Sequence, residues 1–393
     1  MFNQSMPSPA AKSKRRQRRV LLALGWYDHR LHAGIARFAV EHGWHLCPDT
    51  TKEKVIPWGW EGDGILAWLG AGDDLADFVA QARKPTVDFS FRRAHLPFAR
   101  ALVDHAAIGR LVADHFLSRG LRHFAFYCDT PNWATAEKER AFINHLEVAG
   151  QICHRLHWHE SNAFTTGRLQ WKHKRNWLAR ELKHLPHPIG ILATTDDQAV
   201  EVLEVCESLG LSVPEQISLI GVDNSLPAAD AMHTPLSSVD TDLEQLGYRG
   251  AALLQSLMDG RPAPKEPLRV PPRGLVARKS SDLIAVKHEG VARSLRFLWE
   301  HCHEPIGVED LARAAAMSRR SLHQAFIDQL GRPPGAELHR VRIERARKLL
   351  LDTDDKLESI AEQCGYQSAN SLWVAFKQAT GFSPKQFRDE NRS

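Results

Sequence analysis

The feature that most constrains this chain is a pattern that occurs twice in its C-terminal part. From Glu289 onward every segment carries helical periodicity. A short helix over Val308–Ala315 is followed by Ser318, a residue suited to cap a helix running to Leu330. Gly331 closes that helix and Pro334 opens the next. A second short helix over Lys356–Cys364 is followed by Gly365, by Ser368 as cap, by Leu372 and Phe376 on one helical face, then by Gly381 and Pro384. Leu311–Ala312, Met317–Ser318, Leu322, Phe326, Gly331 and Pro334 thus match Ile360–Ala361, Gln367–Ser368, Leu372, Phe376, Gly381 and Pro384. The two halves read as a gapless duplication about fifty residues apart. Short helix, turn and longer helix make a helix-turn-helix unit.

In such a unit the second helix enters the major groove of double-stranded DNA, and residues near its N-terminus face the bases. Leu322 and Phe326 point to the core, which leaves Ser318, Arg319, Arg320, His323 and Gln324 outward. In the second unit Ser368, Ala369, Asn370, Trp373 and Val374 are outward. Arg, Gln and Asn are able to bind one base through two hydrogen bonds. The alternative is a helical bundle for protein contacts only, and duplication of the unit speaks against it.

Upstream, the rhythm is strand and helix. Strands are expected at Val20–Leu24, Gly64–Leu69, Pro85–Phe89, Phe124–Cys128, Ile189–Ala193 and Ser218–Val222. Helices are expected at Arg30–His42, Asp74–Arg83, Ala106–Arg119, Ala136–Ala149 and Asp197–Leu209. Uninterrupted apolar strands between helices argue for parallel sheets covered on both faces. The stretch from Arg19 to about Ser281 is long enough for two such lobes. Residues 1–18 lack periodicity and read as a disordered basic leader carrying Lys12, Lys14, Arg15, Arg16 and Arg18, with Arg19 next to it. Such a tail is able to touch phosphates without sequence preference. Prolines 262, 264, 267, 271 and 272 break the pattern, and Arg278–Asp282 reads as linker. The expected organisation is therefore a leader at 1–18, an α/β sensor at 19–282 and an all-α reader at 286–393.

Open α/β sheets bind ligands beyond the carboxyl ends of their strands. Trp26, Tyr27 and Asp28 follow the first strand and Phe89–Arg93 the third. Asp129–Trp133, Thr195–Asp197 and Asp223–Asn224 follow later ones. Carboxylates accept paired hydrogen bonds from sugar hydroxyls, and aromatic faces stack on the C–H faces of a pyranose. Each Asp taken singly is equally well a helix cap; their recurrence at equivalent positions points to a polar cleft.

Other classes find little support in the 393 residues. The apolar and charged fractions, 43% and 25%, are those of a soluble globular chain. No apolar run approaches the roughly 20 residues of a membrane span, and Val20–Trp26 is too short for a signal-peptide core. A cytoplasmic protein without membrane contact is expected. The net charge of +4 does not by itself prove nucleic-acid binding. Six cysteines are scattered without a metal knuckle or a disulfide framework. Gly70–Ala71–Gly72 lacks the third glycine of a dinucleotide turn, and Asp73–Asp74 would repel a pyrophosphate. His154, His157 and His159 have no HExxH or cysteine partner, and no G-x-S-x-G is present. No enzyme, cofactor or metal site is expected. An NAD-type or metal-dependent enzyme is the remote alternative.

The C-terminal residues resemble the DNA-binding domain of AraC/XylS-type regulators. The resemblance rests on Asp310–Leu311–Ala312, Ser318–Phe326, Arg345–Ala346, Leu349–Leu350, Cys364–Gly365–Tyr366, Phe376–Lys377, Gly381–Phe382–Ser383–Pro384 and Phe387–Arg388. Residues 19–281 resemble the two-lobed, periplasmic-binding-protein-like sensor of LacI-type regulators, through Asp63–Gly64–Ile65, Val103–Asp104, Thr195–Asp196, Val213–Pro214–Glu215, Ile220–Gly221–Val222–Asp223–Asn224 and Leu275–Val276. A LacI-type sensor ahead of an AraC-type reader is similar to the bacterial xylose operon regulator family. The resemblance implies a sugar-dependent transcription activator with D-xylose as first choice of effector; another monosaccharide or a non-sugar ligand is the alternative. It implies a DNA operator, RNA polymerase and a second copy of the chain as partners. It implies Tyr27, Asp28, Asp104, Trp133, Lys138, Asp196, Asp223 and Asn224 as sugar-site residues. Lys138 departs from the Arg usual there, and Trp373 and Val374 from the usual polar residues of the second reader.

Overall fold

Each series of apolar strands closes into its own six-stranded sheet. The computed structural model describes residues 17–47, 55–70, 73–158, 170–225, 233–282, 286 and 288–392. The chain forms two units, residues 1–102 with 246–268, and residues 103–245 with 269–393, so it passes from one to the other three times.

The first unit is built on β1 (Arg19–Leu24), β2 (His45–Cys47), β3 (Gly64–Trp68), β4 (Thr86–Asp88), β5 (Ala99–Val103) and β11 (Leu268–Val270), in the order β11-β5-β4-β3-β1-β2. β1 and β3 run parallel, from Val20 beside Gly64 to Leu24 beside Trp68. Their interior residues are fully buried, as expected of strands covered on both faces. Helices α1 (His29–His42) and α2 (Asp74–Ala82) flank the sheet, and α7 (Leu243–Met258) packs here from Leu246 on. Gly247 lets α7 approach α1: a Cβ there would lie 2.2 Å from the Leu31 carbonyl.

The second unit begins with β6 (Phe124–Cys128), β7 (Cys153–His157), β8 (Ile189–Ala193), β9 (Ile217–Val222), β10 (Ser237–Asp240) and β12 (Gly274–Val276), ordered β12-β10-β9-β8-β6-β7. Only the β10–β12 pair of this sheet is antiparallel. Helices α3 (His105–Ser118), α4 (Trp133–Val148), α5 (Gln170–His184) and α6 (Asp196–Leu209) flank it. α3 and α4 touch at Gly109, where a Cβ would lie 2.4 Å from the Lys138 carbonyl.

The same unit continues into seven helices: α8 (Glu289–His301), α9 (Val308–Ala315), α10 (Arg319–Leu330), α11 (Pro334–Asp352), α12 (Leu357–Gln363), α13 (Ala369–Thr380) and α14 (Pro384–Arg392). They have two cores. One joins Leu295, Leu298, Leu311, Leu322, Phe326 and Leu338; the other joins Ile343, Ala346, Leu350, Ile360, Leu372, Phe376 and Phe387. α11 supplies both, so it is the spine that ties the two helix-turn-helix units together.

Four expectations need correction. The leader is shorter than 1–18: Gln17 donates to the Trp44 carbonyl, Arg18 pairs with Asp259 at 2.6 Å and Arg19 begins β1. Lys12, Lys14, Arg15 and Arg16 lie outside the described residues. The proline-broken stretch is no loose linker, because it places one short strand in each sheet, β11 and β12. Ser280 and Ser281 are fully buried and hydrogen-bonded to Leu219, Ser237 and His115. The helix expected from Ala136 starts at Trp133, because Asn132 and Thr135 form a capping box ahead of it. The duplication is not gapless. Ala316 and Gly365 both close the short helix in the left-handed region, but one residue (Met317) separates Ala316 from its Ser318 cap, and two (Tyr366, Gln367) separate Gly365 from Ser368.

Candidate functional sites

Strand ends in the second unit gather a compact polar group. β9 ends at Val222, and the next two residues turn with positive φ, Asp223 at 102° and Asn224 at 46°. A non-glycine residue rarely adopts this conformation, and two in succession mark a turn the surrounding structure enforces. The enforcing contacts are visible. The Asp223 amide donates to the Val239 carbonyl, and the Asn224 amide to Ser238 Oγ at 2.9 Å. Arg278 donates to Asn224 Oδ1 at 3.2 Å and to the Leu236 carbonyl at 2.8 Å.

Asp196 stands under this turn as the first residue of α6, capped by Thr195. It is 2% exposed, and its two oxygens accept from Ser238 Oγ (2.5 Å) and the Ser225 amide (2.9 Å). Gly221 makes the approach possible, since a Cβ there would lie 2.3 Å from Asp196 Oδ1. Burial pushes the Asp196 carboxyl up to about 7 against the pull of both hydrogen bonds, and the charges of Asp223 and Asp197 add to the rise. Lys138, from α4, is buried and donates to the Thr194 carbonyl at 2.6 Å. Burial lowers its pKa, while Asp223, Cys128 and Asp196 favour its charge. Lys138, Asp196, Asp223 and Asn224 therefore come together.

The other expected residues take different places. Asp104 caps α3 through the Ala107 amide (2.8 Å). Trp133 stands edge-on to His105, ring centroids 5.0 Å apart. Burial, with the charges of Lys138 and Arg269, holds His105 well below its usual pKa. In the first unit Asp28 caps α1 and grips Arg30 at 3.0 Å. Burial would raise its pKa, but its bonds to Arg30 hold it below the usual carboxylate value. Tyr27 is about half exposed and its hydroxyl meets His32 Nδ1 at 3.0 Å. Trp26 lies against Trp68 at 4.5 Å.

Sequence reasoning missed Ser238, Ser225 and Asp88. Ser238 belongs to a four-residue strand with no alternation to reveal it. Asp88 is fully buried in β4, accepts from the Leu69 and Ser90 amides, and has its carboxyl pushed up to about 6 by that burial.

The reader helices present the expected faces. Ser318 caps α10 through the Ser321 amide, and Arg320, His323 and Gln324 are exposed. Arg319 is exposed but paired with Glu309 at 2.6 Å, and Gln324 donates to Asp328 at 2.8 Å. Ser368 caps α13 in a capping box, Asn370 and Val374 are exposed, and Ala369 is half-buried. Trp373 is 38% exposed with the Lys377 ammonium 4.9 Å from its ring centre. Among the described residues no helix is long and apolar enough to cross a membrane.

Comparison with known proteins gives consistent matches. Residues 113–281 match the periplasmic binding protein-like domain family and residues 311–390 the helix-turn-helix domain family. The xylose operon regulatory protein of Escherichia coli K12 is 30% identical over 93% of this chain and 94% of its own length. That of Haemophilus influenzae is 28% identical over 92% of this chain and 95% of its own. The solved structure of a xylose-binding transcription activator superposes with a TM-score of 0.57, at 28% identity, covering 96% of this chain and 99% of that one.

Proposed function

The chain belongs to the xylose operon regulatory protein family, a family of helix-turn-helix transcription regulators, and from that premise we propose that it activates sugar-catabolic genes in response to D-xylose. The observation that carries the reading is the Asp223–Asn224 turn. Two strained non-glycine residues are held by Ser238 and Arg278 above a buried carboxylate and beside a buried lysine. Strain of this kind clusters at ligand-binding sites, and the group offers both acceptors and a cation to sugar hydroxyls. Asp223 and Asn224 make the direct contacts, with Lys138 beside them. Asp196, both of whose oxygens are engaged by the protein, holds the turn in place.

Sugar binding shifts the sensor between conformations only by its differential affinity for them, typically about 1–3 kcal/mol of coupling. The reader then recruits RNA polymerase from its operator, as a homodimer in the cytoplasm. The domain boundaries at 19–282 and 286–393 belong to the same proposal, with Gln17 and Arg18 also bonded to the sensor.

Tryptophan fluorescence and thermal shift of the full chain, titrated with D-xylose, L-arabinose, D-ribose, D-fucose and D-glucose, test it. At a hundredfold excess over its dissociation constant the effector adds about 2.7 kcal/mol of stability. Asp223→Ala should abolish that response and keep operator binding. A response to none of the sugars, or an undiminished one in Asp223→Ala, overturns the reading.

A further inference from the structure

Within the second unit, the sheet-bearing part meets the first helix-turn-helix unit around a cavity of about 270 Å³. Its apolar wall is Leu111 of α3, Leu275 and Val276 of β12, Trp299 of α8 and Val341 of α11. None of the residues of the Asp223–Asn224 turn lines it.

Most charged groups of the wall already have a partner, and Asp240 accepts from the Asp242 amide at 2.9 Å. Arg340 grips Glu337 at 2.7 Å. Arg273 lies 3.5 Å from Asp242 and 3.7 Å from Asp352. Asp114 meets His145 at 2.9 Å, and Glu344 meets Arg347 at 3.2 Å. Burial holds the His115 pKa well below its usual value, and its Nε2 meets Ser281 Oγ at 3.0 Å. Arg119 is the exception. Its Nε is buried without a hydrogen-bond partner, and its guanidinium donates to none of the described residues. It stacks on Trp299, 4.5 Å from the ring centre, and the Asp282 and Glu337 carboxylates act on it only through space. Burial pulls its pKa down to about 10 and the charge of Arg340 pushes the same way, while the charges of Asp282 and Glu337 pull it back up. Lys348, on the exposed side of α11, also has no ion pair among the described residues.

A partly buried guanidinium whose Nε has no acceptor is costly to keep. A planar carboxylate is the acceptor that matches its fork through two parallel hydrogen bonds. With Arg340 and Arg273 already engaged by carboxylates, the wall's cations without an ion pair among the described residues are Arg119 and Lys348, against Asp240, which accepts from the Asp242 amide. One such partly buried guanidinium, with the second cation exposed, suits a monoanion better than a phosphate dianion. The volume and the apolar wall suit a compact hydrocarbon body.

We propose that this cavity is a second effector site, which takes a small organic monocarboxylate. Its carboxylate binds Arg119 in front of Trp299, and its apolar body lies against Leu275, Val276 and Val341. Because the walls come from α3 and β12 on one side and from α8 and α11 on the other, an occupant stiffens the attachment of the reader to the sensor sheet.

The test is isothermal titration of the full chain with benzoate and with isovalerate, with benzyl alcohol as neutral isostere of benzoate. At least one of the two carboxylates is expected to bind saturably and benzyl alcohol not to bind. Arg119→Met should weaken carboxylate binding at least tenfold, raise Tm by removing the unpaired charge, and leave the D-xylose titration unchanged. Should Arg119→Met fail to fold, Val341→Phe, which fills the cavity from α11, should weaken binding likewise. The proposal is overturned if neither carboxylate binds at millimolar concentration, if benzyl alcohol binds as well as benzoate, or if both variants bind the carboxylate like the parent chain.

Discussion

The two helix-turn-helix units share one pattern and solve it with different chemistry. After the recognition helix, each unit opens its next helix on a proline, Pro334 or Pro384, and buries the residue three positions on. In the first unit that residue is Glu337, fully buried and held by Arg340 at 2.7 Å and Arg332 at 3.5 Å. In the second it is Phe387, packed edge-on to Phe376 at 5.3 Å with the Arg347 guanidinium over its ring. The turns differ in the same way. The first bends through Ala316 at φ 53°, the second through Gly365 at φ 70°. The reading faces differ too, Arg320, His323 and Gln324 against Asn370, Trp373 and Val374. Duplication preserved the backbone plan, and each copy then acquired its own core and its own surface.

The largest effect should come from the buried ionic core. Glu337→Ala takes from Arg340 and Arg332 the carboxylate they grip, leaving Asp114 and Glu344 to act on Arg340 only through space. Removing one partner of a buried pair costs about 3–5 kcal/mol, and the partial exposure of both arginines sets the lower end. Urea titration of the parent and variant measures it. Phe387→Leu, the corresponding change in the apolar core, should cost only about 1–2 kcal/mol because it leaves no charge behind. Equal costs would mean that the ion pairs add nothing beyond packing.

Next in size is the turn glycine. A Cβ on Gly365 would lie 2.4 Å from the Glu304 carbonyl and 2.7 Å from that of Cys302. These two carbonyls, with that of Ile306, are bound by Arg342. The second unit's turn is thus wedged against the end of the first unit's α8. Gly365→Ala should cost roughly 2–4 kcal/mol, from overpacking together with left-handed backbone. A thermal melt showing less than about 1 kcal/mol lost would show that the α8 end gives way.

These residues also show what the sequence could and could not disclose. Leu311, Leu322 and Phe326 recur as Ile360, Leu372 and Phe376, so apolar period and caps announced both units. Gly365 announced a turn, but not the carbonyls of Cys302 and Glu304 against it, because that contact joins residues far apart in the chain. A buried Glu337 is invisible to any pattern that takes charged residues as surface. The strand-following carboxylates divide for the same reason: Asp28 and Asp104 are helix caps, a local role, while Asp196 is buried through Ser238, which lies on another strand. β11 and β12 escaped notice because three-residue strands among prolines carry no period, and only the neighbouring sheet makes them strands.

The reading faces should differ in what they recognise. Arg320→Ala should cost about 1–3 kcal/mol of specific operator affinity and relax the preference at one base pair. Arg319→Ala should cost less, because Arg319 is already engaged by Glu309. Trp373→Ala should cost about 1 kcal/mol and show as a weakened preference for a thymine methyl. Binding to a randomised operator library separates these outcomes. An unchanged base profile in Arg320→Ala would remove that side chain from the reading set.

The smallest effect is the most direct test of the turn comparison. Ala316 sits in the left-handed region, which costs an L-residue roughly 1 kcal/mol that glycine does not incur. Gly365 occupies the same place in the second unit and is fixed there by the carbonyls it touches. Ala316 makes the same bend, with its amide bonded to the Ala312 and Arg313 carbonyls, and is largely exposed. Ala316→Gly relieves the strain but also loosens the unfolded chain, so the net gain should be under about 1 kcal/mol. A small rise in Tm would mean that the first unit tolerates strain at its turn while the second needs glycine for space. A fall in Tm would mean that the Ala316 methyl contributes packing, and that the two turns differ in more than the extra residue.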